Sequence, residues 1–488
     1  MPETIGRRAF LGGAVAAAAA WASGCRAEGS IPPPVSADVV VIGAGMAGLS
    51  AARELARAGR DVLVLEARSR PGGRVLTLRG PFADGLHAEA GAVFVPEHHH
   101  HSVGLARELG LALAATPRRR GVGNRYFVAG EMVEAHPGEL VRWPPSIALA
   151  PEERGLSPGE LRRRYLGRAL DRIGDPRHPA WPGEAALEYD ALTTAALLRR
   201  EGASAAAIRL MRLGYLDEWG DGIDTVSALA ALRDLAANDL PGEAWRIAGG
   251  SDRLPAALAA GLGDRIRFGA AATRVRTHRR GVEVECRDET GIHVVRASRA
   301  VCAVPFTVLR GMRLDAPLSP GKAQAIRELP ATSVTRVFLQ MRRRFWDADL
   351  PESVPTDLPI MHGIHATAAQ PGEKGILEAF VTGRRARELA VLPPTERVAF
   401  AAKHLERVWP GARAHLEGGA SWSWDADPWA CGDYAWFRPG QIRALLPSLS
   451  HPEERLHFAG DQTSSSPGWM QGAIESGLRA AEEVRSHP

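Results

Sequence analysis

The sequence predicts an α/β fold in two domains. One domain is built on a strand–turn–helix–strand unit and is laid down in discontinuous pieces. The other is α+β and carries a helical insertion. Three observations predict this. Residues 39–66 pass from an apolar run through a glycine-rich turn and a helical stretch to a second apolar run. Residues 456–484 return to a strand followed by a helix. Between them, residues 104–240 lose strand alternation to Arg- and Ala-rich helical segments, and strand patterns come back from residue 331 onward.

The first unit begins with Val39–Ile42, an apolar run that reads as a buried parallel strand. Gly43, Gly45 and Gly48 follow in the spacing G-x-G-x-x-G. Gly43 permits the tight turn, Gly45 lets backbone approach a pyrophosphate, and Gly48 lets helix and strand pack closely. Gly48–Ala58 reads as a helix whose N-terminus turns its partial positive charge on the phosphates, with Met46 and Ala47 just before it as cofactor contacts. Gly59 stops the helix, and Val62–Leu65 forms the second strand and ends in Glu66. That carboxylate accepts from a ribose hydroxyl and repels a 2′-phosphate, which favours FAD or NAD over NADP. Ala67 and Arg68 extend the same wall.

Arg70, Gly72, Gly73 and Arg74 then form R-x-G-G-R. This stretch resembles the FAD-binding signature of the flavin-dependent amine oxidase superfamily, which includes monoamine and polyamine oxidases, L-amino-acid oxidases, and desaturase and protoporphyrinogen-oxidase relatives. The resemblance implies a Rossmann-like FAD-binding domain, with Gly73 and Arg74 lying against the cofactor. No second G-x-G-x-x-G occurs in the chain. A flavin reduced by NADPH usually has a second nucleotide unit, so the substrate itself is expected to reduce this one.

Residues 1–30 read as an address. Arg7 and Arg8 precede Phe10–Leu11 and the small apolar stretch Ala14–Ala22, a twin-arginine signal too short for a permanent anchor. That export route passes folded proteins, which suits an enzyme that takes up FAD in the cytoplasm. Two cleavage readings stand side by side. Ala20-Trp21-Ala22 is an A-x-A site, and Ala22–Cys25 resembles a lipobox that would place a lipid anchor on Cys25. The expected partner is the twin-arginine export machinery, and the expected location is periplasmic, free or as a membrane-anchored lipoprotein.

At 488 residues the chain can hold two large cores. Lys and Arg (60) nearly balance Asp and Glu (56), and no basic block or nucleic-acid motif stands out, so a nucleic-acid role is not expected. The four cysteines are far apart and include no C-x-x-C, which argues against a disulfide framework and a zinc site.

In Phe82–Pro96 the family brings backbone to the flavin ring. Many amino-acid oxidases carry Met-Arg there, and the Arg grips the substrate carboxylate. Here Val93 and Phe94 take those places, which argues against an α-amino acid and leaves an apolar wall for the substrate. His98–His101 follow, but neighbouring helical residues point apart, so no metal site is expected. In residues 104–240, Trp181 and Trp219 read as core.

Trp245–Leu254 then leads back into the first domain, and Val275 falls where the family sends a backbone contact to the adenine side. Val282–Cys286 and His293–Ala297 alternate as a hairpin, and Ala300–Val304 reads as a buried strand. In residues 331–345 the family usually carries a Lys that holds a water against the flavin; here the residue is Arg336. It keeps the charge but is planar and almost never deprotonated. It is assigned a catalytic role, stabilising reduced flavin, holding a water or binding an acidic substrate group. The change from Lys puts fast reaction with dioxygen in doubt.

In Ser421–Gly440 the family carries an aromatic that faces the flavin; Tyr434 and Trp436 are the two candidates, and spacing does not decide between them. Cys431 is one residue off the position of a covalent flavin link, so the FAD is expected to be non-covalent.

The last segment is the other specific one. Leu456–Gly460 leads to Asp461, placed by the resemblance at a ribityl hydroxyl, and a helix starts near Met470 and Ala473 at the pyrimidine edge. Trp469 matches one wall of the amine-binding cage and suits a cationic substrate.

The expected domains are 36–103, 241–330 and 450–488 for FAD, and 104–240 and 331–449 for substrate. The expected activity is an exported FAD-dependent amine oxidase or dehydrogenase. It would make an imine, then an aldehyde or ketone, and pass electrons to dioxygen or a periplasmic carrier. The alternatives are an L-amino-acid oxidase, a desaturase- or protoporphyrinogen-oxidase-like enzyme on an apolar substrate, and a non-enzymatic flavoprotein.

Overall fold

Val35–Ile42 runs through the middle of an eight-stranded sheet. It pairs in parallel with Val62–Leu65 on one side and with the long strand Gly291–Cys302 on the other. The computed structural model describes residues 35–115, 123–240, 242–346 and 352–486. The twin-arginine segment and Cys25 lie outside these residues.

Gly291–Cys302 is a single strand where the sequence suggests two pieces. Its first half pairs antiparallel with Gly281–Asp288, and its last three residues pair in parallel with Leu456–Phe458. The strand survives the change of neighbour because Val35–Ile42 supports it on its other edge from Val295 to Cys302.

The helix Met46–Arg57 lies against this sheet and buries Leu49, Ala51, Ala52 and Leu55 completely. Each leucine removed from water in this way contributes roughly 1.5–3 kcal/mol. The C-terminal helix Met470–Ser486 crosses it closely. A Cβ on Gly477 would stand 2.2 Å from the Ala47 carbonyl oxygen, so only glycine allows this approach.

A second sheet of five strands is antiparallel throughout: Ser353–Pro355, His362–His365, Gly375–Thr382, Val334–Met341 and Leu416–Ser423. In Val334–Met341 the period of two assigns the faces. Val337, Leu339 and Met341 pack towards Leu405 and Val408 of the helix Pro394–Val408, whereas Arg336 and Phe338 turn to the other side. The helical insertion includes Pro158–Ile173, Thr194–Arg200, Ala205–Met211 and Ala228–Asn238. Ser157, Thr193, Ser204 and Ser227 accept from first-turn N–H groups and set where these helices begin.

The insertion also contains a hairpin, Asn124–Val128 with Glu131–Ala135, that helical periodicity does not reveal. Its tight turn puts both Ala129 (φ 54°) and Gly130 (φ 88°) in the left-handed region. The mixed α/β architecture agrees with the expected fold class.

Candidate active site

A cavity of about 1180 Å³ lies between the two sheets and the insertion. One end is walled mostly by backbone. Gly43, Gly45, Met46 and Ala47 line it, and the helix that begins at Met46 has no side-chain cap. Its first N–H groups are therefore free to bind an anion. A Cβ built on Gly45 meets nothing within 4 Å, whereas one on Gly48 would stand 1.9 Å from the Gly43 carbonyl oxygen. The two glycines thus do different work: Gly45 keeps space open, and Gly48 lets the helix touch the strand. Gly48 does not itself line the cavity.

The loop after the second strand is fixed by its own backbone. Gly72 N–H donates to Ala44 O at 2.8 Å, and the Arg70 guanidinium donates to the carbonyls of Pro71, Gly73 and Val75. Glu66, buried at the tip of its strand, accepts from the N–H groups of Ala44 (2.7 Å) and Arg68 (2.8 Å). Arg68 pairs with Asp427 at 2.6 Å. Arg74 pairs with Asp461 and donates to the Asp433 carbonyl, and Asp461 also accepts from Gly468 N–H at 2.9 Å. Burial pushes the Asp433 carboxyl up to about 6.

The other end is a chamber of side chains. Tyr434 and Trp219 meet edge to face at 4.7 Å, and the Tyr434 hydroxyl donates to Glu218 O at 2.8 Å. Trp469 stands 4.9 Å from His99, a ring that burial brings down to about 4 and so keeps neutral. Arg336 donates to Glu89 O and to Glu378 Oε1, both at 3.1 Å, and lies 4.7 Å over the Phe380 ring. Its Nε is buried without a partner. Arg246 pairs with Glu352 and stacks 4.8 Å over Phe94; burial brings its guanidinium down to about 10. Burial pushes the Glu89 carboxyl up to about 7, against hydrogen bonds from Thr77 and Ser251, and it also raises Glu378, against Arg336 and Arg246.

Most residues singled out from the sequence meet in this cavity. Gly43, Gly45, Met46, Ala47, Glu66, Ala67, Arg68, Gly73 and Arg74 line it, as do Val93, Phe94, Arg336, Tyr434, Gly460, Asp461, Trp469, Met470 and Ala473. Two do not. Val275 is fully buried in the sheet, paired with Val284 and Leu314, and the lining residue is Ala272. Ala272 lies before a register irregularity in the strand, and Val275, on the regularly paired part beyond it, turns its side chain into the core. Trp436 is also corrected. It is buried beside Gly220 and under Arg438, outside the main cavity, so Tyr434 is the aromatic of the pair that reaches it.

Trp219, read as core, lines the cavity. Cys431 is exposed and does not line it. Sequence reasoning passed over Glu218, Arg246, His362 and Glu378. A signal existed for Glu378, the one charge in the otherwise apolar strand GILEAFVT.

A model of the family described as flavin containing amine oxidoreductase matches residues 46–485. The YobN protein of Bacillus subtilis (strain 168) is 29% identical across 92% of this chain and 95% of its own length. The L-amino-acid oxidase of Daboia russelii is 29% identical across 91% and 88%. Among solved structures, a putrescine oxidase bound to putrescine superposes with a TM-score of 0.78 at 24% identity, over 93% of this chain and all of the other. That likeness speaks to the fold.

Proposed function

The chain belongs to the flavin-containing amine oxidoreductase family, and from that premise we propose that it is an FAD-dependent enzyme that oxidises small-molecule amines to imines, which water converts to an aldehyde or ketone. FAD, when bound, supplies the acceptor for the hydride that leaves the nitrogen-bearing carbon. The cradle fits that cofactor: Gly45 leaves open space beside an uncapped helix N-terminus, Glu66 takes the ribose, and Arg74 and Asp461 flank the ribityl chain. Ala272 takes the adenine-side place first given to Val275. Since Cys431 stands away from the cavity, the FAD is held without a covalent link.

One observation carries the choice of amines. The three arginines at this end are already committed, Arg336 to Glu378, Arg246 to Glu352, and Arg344 to the carbonyls of Lys374 and Gln370. Glu89 and Glu218 add further acids. A chamber rich in carboxylates and aromatic rings attracts an ammonium and repels a second carboxylate. The buried aromatic walls then exclude water from the reacting carbon.

A second reading, oxidation of L-amino acids, is favoured by Arg246, which stacks on Phe94 and lines the cavity where a substrate carboxylate can reach it. The names of relatives such as the Daboia russelii enzyme point the same way. Export through the twin-arginine route, to the periplasm or as a lipoprotein at Cys25, rests on Arg7, Arg8 and Ala14–Ala22. The electrons leave to dioxygen or to a periplasmic carrier; the fixed guanidinium of Arg336 supports the carrier.

The test is anaerobic bleaching of the yellow protein by a panel of amines and L-amino acids, followed by air. Bleaching by amines alone supports the reading, and slow return of colour in air supports a carrier. Bleaching by L-amino acids alone overturns it in favour of the second.

A further inference from the structure

Two cavity-lining side chains, Ser353 and Glu218, meet at the imidazole of a third, His362. His362 Nδ1 lies 3.2 Å from Ser353 Oγ, and Nε2 lies 3.1 Å from Glu218 Oε1. The ring is 6% exposed. It stands 6.0 Å from Phe380, whose other neighbour is the Arg336 guanidinium. On its other side, Glu218 holds the Tyr434 hydroxyl through its backbone carbonyl. His362 therefore sits between the aromatic wall and the strand that carries Arg336. Its Nε2 makes no aligned hydrogen bond, although Glu218 is close enough for an ion pair. A tie between insertion and sheet would need no access to the cavity, yet all three side chains line it.

We propose that the Glu218–His362 pair recognises the ammonium group of the substrate and takes its proton. The inference rests on the amine reading above. An aliphatic amine enters from neutral water as an ammonium, and hydride leaves its carbon only once the nitrogen has a free electron pair. One N–H bond of the ammonium breaks and its electron pair stays on the substrate nitrogen. The proton forms an N–H bond at His362 Nε2. The imidazolium is stabilised by the Glu218 carboxylate, and its Nδ1–H donates to Ser353 Oγ. No electron changes owner in this step. The charged groups facing His362 are Glu218 from the insertion and Glu378 and Arg336 from the central strands of the second sheet; Ser353 and the Tyr434 hydroxyl are the neutral polar groups beside them.

The experiment uses the holoenzyme, its H362N and E218Q variants, and two amines: one that bleaches the wild type and its β-fluorinated analogue, whose ammonium releases its proton more readily. With the parent amine near neutral pH, both variants should be reduced at least about tenfold more slowly at saturation, recovering as pH rises; the fluorinated amine should lose less than about threefold. Equal losses for both amines, with the flavin spectrum intact, overturn the inference.

Proton counting gives a second readout. 2-Phenylpropan-2-amine has no hydrogen on its nitrogen-bearing carbon and cannot be oxidised. Its calorimetric binding in buffers of different ionisation enthalpy should release no net proton from the wild type and close to one per site from H362N. If the variants lose flavin, the wild-type count decides alone, and release of one proton overturns the proposal. A wild type that no amine bleaches overturns the amine reading itself, which is a different result.

Discussion

The two ends of the cavity are built on opposite principles. The cradle is walled mostly by backbone and glycine, with Glu66, Arg74 and Asp461 among its few polar side chains. Gly43, Gly45, Gly72 and Gly73 lie within one short stretch, and Arg70 serves only to hold that stretch in place. In the chamber, recognition is done by charged and aromatic side chains from separate parts of the chain. Glu218 comes from the insertion, Arg246 from the segment after it, Arg336 and Glu378 from neighbouring strands, and Trp469 from the start of the last helix. A local motif can specify a shape for a fixed cofactor. A substrate pocket needs convergence, and convergence leaves little trace in any one window of sequence.

The sharpest break of this comparison uses two glycines of one motif. Gly48→Ala should destabilise the fold by about 3 kcal/mol or more, because its Cβ collides with the Gly43 carbonyl. Gly45→Ala meets no protein atom and should leave the apoprotein's thermal midpoint unchanged, while weakening flavin binding ~100-fold. Thermal unfolding of apoprotein and flavin titration separate the two. Equal effects on stability would remove the distinction drawn between them.

The chamber has its own large effect. Arg336→Met leaves Glu378 buried without its guanidinium and should lower stability by about 3 kcal/mol in urea unfolding. The loss should be smaller at acid pH, where Glu378 takes up a proton instead. A loss independent of pH would mean that lost packing on Phe380, not the ion pair, dominates.

A smaller, pH-dependent effect comes from Glu89. Its carboxyl titrates near 7 in the fold against an ordinary value of 4.5. Between those values the folded chain keeps a proton that the unfolded chain has released, so stability falls as pH rises from about 4.5 to 7 and then levels. The slope is worth on the order of 2 kcal/mol. Glu89→Gln should flatten it, even though it weakens the bond from Ser251 N–H and lowers stability overall. An unchanged slope in the variant would assign the titration to another buried acid, such as Asp234 or Asp433.

The smallest effect expected is that of Tyr434→Phe, which removes one hydrogen bond to Glu218 O and should cost about 1 kcal/mol or less in stability. It should raise the dissociation constant of a bleaching amine only a few-fold. A loss of more than about tenfold in amine affinity would show that the hydroxyl touches the substrate directly.

How far the molecule could be read beforehand follows the same division. The strand Val62–Leu65 matches the sequence reading residue for residue, because its ends are set by local chemistry: an apolar run closed by a charged residue. Arg336 was legible because it stands where the resembling family usually carries a Lys. Glu378 carried a signal as the one charge in its strand, but its pairing with Arg336 did not, since only the antiparallel register, with Arg336 opposite Phe380, brings it diagonally beside Arg336. Val275 failed because the resemblance alone placed it; in the strand it turns into the core three residues past Ala272, which lines the cavity. The choice between Tyr434 and Trp436 failed because two aromatics two residues apart share a strand face in an extended segment, whereas this loop turns them into different spaces.

The Arg74–Asp461 pair joins residues 387 positions apart, and the same closure brings Met470–Ser486 onto Met46–Arg57. During synthesis the cradle therefore stays half-built until Asp461 and the helix Met470–Ser486 have left the ribosome. The glycine loop is made long before the contacts that finish it. Domains completed by such distant contacts fold slowly and leave sticky surfaces open while they wait. Arrival of the last helix is thus the natural checkpoint of assembly. Cofactor uptake then waits on the helix Met470–Ser486, and a chain cut before Met470 should accumulate without colour however well the five-stranded sheet has folded.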